Sequence, residues 1–231
     1  MHTLKRIICL CVQETLIWAC GRAYFARPDV RPLWDLIPEE EARGHCSFAT
    51  VPKRDSDEQR KILMVVPFNT VAVPVSVLLG RDPEYGMQGA GSVSQLQARN
   101  DRASLATADE SNAFTYIQVP APWQVYQAAP RLRARELPPD WVAGRWPPWR
   151  WLRPAYRRLP MGGTHAVFIL LEINKDATLR AFRQWKRGHD LFLLNLVATL
   201  YRGVEISEGS AAVYIHVDDF GAIADDDATA N

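Results

Sequence analysis

The end of the chain carries the pattern that most restricts its fold. An apolar run, AAVYIHV, is followed by Asp218-Asp219 and then by a second apolar run, FGAIA. Two strand-length apolar segments around a short acidic break read as a β-hairpin, because the carboxylates fall where the chain has to reverse. Aspartate is common in turns, so the acidic pair alone says little about function. A third aspartate gives it meaning. ASLATADESNAFTYIQVP reads as a strand ending near Asp109, with a short helix or turn beyond it.

Three carboxylates, two on a tight turn and one at the end of a neighbouring strand, supply the hard oxygens that hard divalent cations need. Their mutual repulsion is relieved when metal binds. Nucleotidyl transfer uses two such ions about 3.5–4 Å apart, one at the attacking hydroxyl and one at the triphosphate.

At 231 residues and 48% hydrophobic content, the chain has material for one substantial core or two small subdomains. Its net charge of +1 is unevenly spread. Residues 131–158 hold eight arginines and two acids, an excess of +6 that leaves the rest at −5. Cys9, Cys11, Cys20 and Cys46 show no C-x-x-C spacing and are too few for a disulfide scaffold, which implies a reducing compartment. His45 beside Cys46 lacks a second pair at ligand spacing and is not read as a metal site. In the opening MHTLKRIICLCVQETLIWAC, the apolar run Ile7 to Val12 is shorter than the ~7–15 residues of a signal core and far below the ~20 of a membrane span. It reads as an amphipathic helix packed on the body, with a targeting segment as the lesser alternative, and no membrane association is expected.

Further along, Pro28, Pro32 and Pro38 break up the pattern through about residue 45. SFATVPK and KILMVVPF flank the polar RDSDEQR, a hairpin with an exposed tip, and a loop rich in Gly, Ser and Gln runs on to about residue 100. PPDWVAGRWPPWRWLRP mixes Pro, Trp and Arg in a way that suits neither a regular helix nor a central strand, and reads as a structured loop or insertion. AVFILLEI with KDATLRAFRQWKRG reads as a helix, DLFLLNLVATLYRG as a second helix, and DDDATAN as a frayed tail. The Arg/Trp stretch either binds nucleic acid through phosphates and stacked bases or places tryptophans in a core. His216, on a strand beside the turn, reads as a packing residue.

An ordered series of motifs over about residues 46–220 resembles the reverse transcriptases of retroelements, closer to the LTR or tyrosine-recombinase kind than to LINE-type elements. FATVPK followed by QRKILMVVPFNT resembles the fingers hairpin, whose basic side chains grip the incoming triphosphate; Lys53, Arg60 and Lys61 match. Asp109-Glu-Ser-Asn-Ala-Phe114 resembles the first palm motif, which makes Asp109 a metal ligand and Phe114 the gate against a ribose 2′-hydroxyl. Leu159-Pro160-Met161-Gly162, with Ala166 downstream, resembles the loop and helix start that hold template and base, with Met161 and Gly162 at the nucleotide. Tyr214-Ile-His-Val-Asp218-Asp219 resembles the motif usually written Y-x-D-D, with His216 where tyrosine is commoner.

The chain also departs from the family. Where the second fingers strand usually carries an arginine and an aspartate, then an arginine and an asparagine, KILMVVPFNT offers Leu63 or Met64, Val66 or Pro67, and only Asn69. Leu171 stands where glutamine is common, and Gly163 replaces a bulky residue. Twelve residues follow Asp219, so the thumb is expected to be absent.

The resemblance implies an α+β polymerase fold of fingers and palm. Residues 1–40 would form an N-terminal helical arm, 41–100 and 121–155 the fingers, and 101–120 and 156–231 a truncated palm. It implies an RNA-directed DNA polymerase with Asp109, Asp218 and Asp219 as catalytic metal ligands for two Mg²⁺ or Mn²⁺ ions. Its partners would be an RNA or DNA template-primer and deoxynucleoside triphosphates, in the cytoplasm or nucleus. The alternative is a catalytically inactive retroelement remnant that at most binds nucleic acid. An RNA-dependent RNA polymerase ranks last, because such enzymes generally carry a second aspartate five residues after the first, where Phe114 stands.

Overall fold

The computed structural model describes residues 22–52, 59–83, 96–98, 104–185, 191–193, 204–206 and 211–224. The chain is mixed α+β. Its strands, in order, are β1 (Trp34–Pro38), β2 (Ser47–Pro52), β3 (Gln59–Met64), β4 (Leu96–Ala98), β5 (Ser104–Asp109), β6 (Leu132–Arg133), β7 (Trp151–Tyr156), β8 (Leu191–Leu193), β9 (Val204–Ile206), β10 (Ala211–His216) and β11 (Asp219–Ala224). Two compact units share them: one takes its described residues from Met1–Ala72 and Phe114–Thr164, the other from Val73–Ala113 and His165–Asn231.

In the first unit a three-stranded antiparallel sheet runs in the order β1-β7-β6. β1 was not expected among the prolines of residues 28–45. It forms because Trp34, Leu36 and Pro38 alternate with Asp35 and Ile37, so one face of a short strand is buried while prolines bracket it. β7 is a larger correction, since WLRPAY lies in the stretch read as a loop and yet forms the central strand. The reason lies in which way Pro154 faces. Its carbonyl accepts from Ala129 N at 2.7 Å, on the side away from β1. A strand residue's N and O point the same way, so the missing N–H removes no bond from the β1 ladder. The chain returns this contact at Tyr156, whose N–H donates to Gln127 O at 3.0 Å.

Aromatic residues brought together by this sheet form the core. Phe25 meets Trp34 edge-on at 5.2 Å, Trp34 meets Tyr156 at 4.8 Å, and Leu152, Leu36 and Ala129 fill around them. Such rings dominate burial because each removes roughly 150–250 Å² from water. Trp141 and Trp146 pack on the same cluster. A smaller cluster joins Cys46, Val65 and Phe68 to Trp123. Burial pushes the Cys46 thiol up to about 12, so it stays neutral and inert. Beside it, Gly44 runs so close to Tyr126 that an added Cβ would stand 2.6 Å from that carbonyl oxygen.

The expected hairpin is present as β2 and β3, antiparallel from Ser47 opposite Met64 to Pro52 opposite Gln59. Its tip, Lys53 included, lies outside the described residues. The strand stops earlier than KILMVVPF suggests. Val66–Val71 is a helix, with Pro67 in its first turn, where a missing N–H is harmless.

The second unit holds a sheet in the order β5-β11-β10-β8 and a parallel pair β4–β9. The helix expected from AVFILLEI onward runs Ala166–Trp185. Leu191–Leu193, read as the start of another helix, is instead a strand parallel to Ala211–Val213 of β10. A short wholly apolar run has no period to separate the two states. The expected N-terminal helix, most of the Gly/Ser/Gln loop, residues 194–203 and the DDDATAN tail lie outside the described residues.

Tyr156 gives the first unit a pH signature. Burial, and then the neighbouring Tyr24, raise its phenol from 10.0 to about 12. The unfolded chain releases this proton at lower pH than the folded one, so stability is intact below about pH 10 and falls as pH rises toward 12. Denaturant titrations across this range should show a steeper alkaline loss for the parent than for Tyr156→Phe.

Candidate active site

The site is built by one hairpin and one neighbouring strand. β10 and β11 pair from Ala211 opposite Ala224 to His216 opposite Asp219. Only Val217 and Asp218 are left to make the turn, so Asp218 lies in it while Asp219 is the first residue of β11. The other edge of β11 pairs with β5, and there Asp219 stands directly opposite Asp109. Directly opposed residues share a face, with Cβ atoms about 4.5–5.5 Å apart. His216, Asp219 and Asp109 therefore form one row across three strands, and all three are exposed; Asp218 is half-buried. The exposure of His216 corrects its reading as a packing residue.

Tyr214, Gly221 and Thr107 make the next row on this face. The Tyr214 ring lies across Gly221 so closely that any Cβ there would collide with it. Tyr214, two residues before His216, is thus seated by a glycine of the facing strand.

The turn is strained and held from outside. Val217 has φ +62°, a left-handed conformation that a β-branched residue rarely adopts. Asn174, 5% exposed on the helix Ala166–Trp185, donates from Nδ2 to Val217 O at 2.9 Å and toward Glu110 Oε2 at 3.4 Å. Glu110 N donates to Asp218 O at 2.8 Å. The ends of β5, the turn and the helix are thereby tied together around the carboxylates. Neither Asn174 nor Glu110 was singled out in the sequence. The available signal was an amide at i+4 from Leu170 and i+8 from Ala166, in line with a buried stripe.

An all-carboxylate donor set suits hard cations such as Mg²⁺ or Mn²⁺, and a facing pair of like charges is what such a cation relieves. Asp109 and Asp219 fit that role. Among the described residues, no three His, Cys, Asp or Glu side chains gather as a metal cluster.

The remaining expected site residues belong to the first unit, and the three aspartates to the second. Arg60 and Lys61 stand on β3, opposite Val51 and Thr50. Phe114 is buried, at 6% exposure, in the helix Ala113–Tyr116. Met161 is exposed, and Gly162 takes φ +84° in the loop. Asn69 braces this loop: its Nδ2 donates to Gly162 O at 2.9 Å, and its Oδ1 accepts from Thr164 N at 2.8 Å and Thr164 Oγ1 at 2.9 Å.

No protein-family model matches this chain, and no curated protein matches it. No helix among the described residues is long and apolar enough to cross a membrane.

Two substitutions at the turn should move stability in opposite directions. Asn174→Ala leaves the Val217 carbonyl unpaired and should destabilise by about 1–3 kcal/mol. Val217→Gly removes the left-handed strain and should stabilise by about 1 kcal/mol. Denaturant unfolding of the two variants beside the parent checks both.

Proposed function

We propose that this chain is a reverse transcriptase-like fingers and palm that extends a primer by RNA-directed DNA synthesis. The observation that carries this reading is the register setting Asp109 opposite Asp219, with Asp218 in the adjoining turn. Like charges directly opposed across a sheet are destabilising, so the arrangement makes sense when it holds a cation. Asp109, Asp218 and Asp219 are the residues that would hold two Mg²⁺ or Mn²⁺ ions. The chemistry such ions supply when bound is activation of the primer 3′-hydroxyl and neutralisation of the triphosphate.

What the chain itself contributes is preorganisation. Asn174 and Glu110 fix the turn, so the carboxylates need little rearrangement when charge develops nearby. Asn69, the one residue that KILMVVPFNT keeps from the family's second-strand set, braces the Met161–Gly162 loop against the helix Val66–Val71. Template-primer and deoxynucleoside triphosphates are the substrates this reading assigns; the resemblance gives Phe114 as the sugar gate and Lys53, Arg60 and Lys61 as the triphosphate-gripping residues.

A second reading, an inactive remnant that binds nucleic acid, is favoured by the fingers positions lacking the family's arginine and aspartate. Primer extension on an RNA template with Mg²⁺ or Mn²⁺ separates the two. The parent should extend the primer, and the Asp218→Ala, Asp219→Ala double variant should not. If neither extends and the parent shifts labelled template-primer in a salt-sensitive manner, the remnant reading stands instead.

A metal-binding prediction accompanies the activity test. Without metal, Asp109→Asn should be more stable than the parent by about 0.2–1 kcal/mol, because a facing charge is gone. Added Mn²⁺ should raise the parent's melting temperature and leave that of the variant nearly unchanged.

A further inference from the structure

Part of the positive charge in residues 131–158 is answered inside the first unit. Glu39 lies 3.0 Å from Arg131 and 3.4 Å from Arg153, and Glu40 pairs with Arg150. Arg133, Arg135, Arg145, Arg157 and Arg158 form none of these pairs, and the first two adjoin one turn. Arg133 donates to a carbonyl, Trp149 O, at 3.3 Å, and its guanidinium lies 4.3 Å over the Trp151 ring. Arg135 is exposed, and its backbone N–H donates to Pro148 O at 3.1 Å, one residue from Trp149. Neither guanidinium has a carboxylate partner among the described residues. Nearby Glu136 is turned elsewhere, to the Arg133 backbone N–H at 2.7 Å and to Arg22 at 3.9 Å.

Trp149, 67% exposed, belongs to the segment that both arginines bond, Arg133 by its guanidinium and Arg135 by its backbone. It occupies a corner of a turn closed by Arg150 N donating to Pro147 O at 2.9 Å and stiffened by Pro147 and Pro148. The turn is pinned at successive points: Pro148 O takes Arg135 N, Trp149 O takes the Arg133 guanidinium, and Arg150 O takes Ala134 N at 2.9 Å. Its neighbours Trp141 and Trp146 bury their rings in the core, and Trp151 is covered by Arg131 and Arg133. One indole is thus displayed to solvent on a turn that Arg133 and Arg135 pin.

We propose that Trp149, with Arg133 and Arg135, is a docking platform for single-stranded nucleic acid. An unpaired base stacks on the indole, and the flanking phosphates meet the two guanidinium groups. Aromatic faces accept every base, so binding would tolerate sequence, and the rigid turn reduces the ordering lost on binding. The platform lies wholly in the first unit, and it stands or falls separately from the aspartates.

The test is fluorescence anisotropy of a labelled single-stranded oligonucleotide, about a dozen pyrimidines long, against the full chain over a range of salt. Trp149→Ala should weaken binding by about 5- to 150-fold, one stacked base's worth, with unchanged circular dichroism. Trp149→Phe should recover most of the loss. Arg135→Ala should lower the slope of log affinity against log salt by about 0.7, one phosphate contact on a single strand. Asp109→Asn combined with Asp219→Asn should bind like the parent, which separates this platform from the proposed polymerase site. Unchanged affinity in Trp149→Ala overturns the proposal. So does loss of all binding in the aspartate variant, or a parent that binds no oligonucleotide, in which case the patch faces an acidic protein instead.

Discussion

Two aspartates held face to face across an antiparallel pair set the terms for the rest of the second unit. Left alone, Asp109 and Asp219 push β5 and β11 apart at the end where the strands have least support. The ladder answers by continuing beyond them, through Ala108–Phe220 and on to Ser104–Ala224, so the repulsion acts on the last rung of an otherwise regular pairing. Register is the quantity protected. A slip of one residue would send every side chain of β11 to the opposite face and take Gly221 out from under the Tyr214 ring. A glycine that accepts only one partner ring is thereby a register pin as well as a seat for the tyrosine.

Strain at the turn belongs to the same design. Val217 in a left-handed conformation is unfavourable by about 1–2 kcal/mol, and a hairpin free to relax would shed it. Asn174 and Glu110 bond the carbonyls of Val217 and Asp218 respectively, one from the long helix and the other from just past β5. These contacts couple the turn to both neighbours, so the carboxylates are positioned by three elements. Backbone strain kept in place by buried polar groups is the pattern expected where position matters more than stability.

Much of this was legible from pattern, and the omissions have identifiable causes. The closing hairpin, the β2–β3 hairpin and the strand ending at Asp109 follow from apolar runs broken by polar residues, and all three are present. Which aspartate would sit in the turn was not legible, because loop length depends on register, and here register depends on a contact between Tyr214 and Gly221. β1 and β7 were missed for a related reason. Proline counts against a central strand only if its nitrogen faces a partner, and the facing of Pro154 is decided by the segment around Ala129, distant in sequence. Asn174 looked like one more polar residue of a helix, since nothing local says that a strained carbonyl lies within its reach. The family likeness supplied site residues at many points along the chain, and the contact pattern assigns them to two units, a division that motif order does not reveal.

Charge gives the same lesson in a sharper form. Counted along the sequence, residues 131–158 look uniformly basic, which suggests a diffuse attraction for polyanions. Folding changes the distribution. Glu39 and Glu40 are far away in sequence but are carried against this stretch at the end of β1, where β7 brings Arg153 and Arg150 to meet them. The pairs are partly exposed, and their contribution to stability is small, but they neutralise the field locally. Arg133 and Arg135 stay outside these pairs and are tied to one turn by hydrogen bonds to Trp149 O and Pro148 O. A compact residue of charge beside an exposed aromatic ring distinguishes partners by shape as well as by sign, which a uniformly basic loop cannot do.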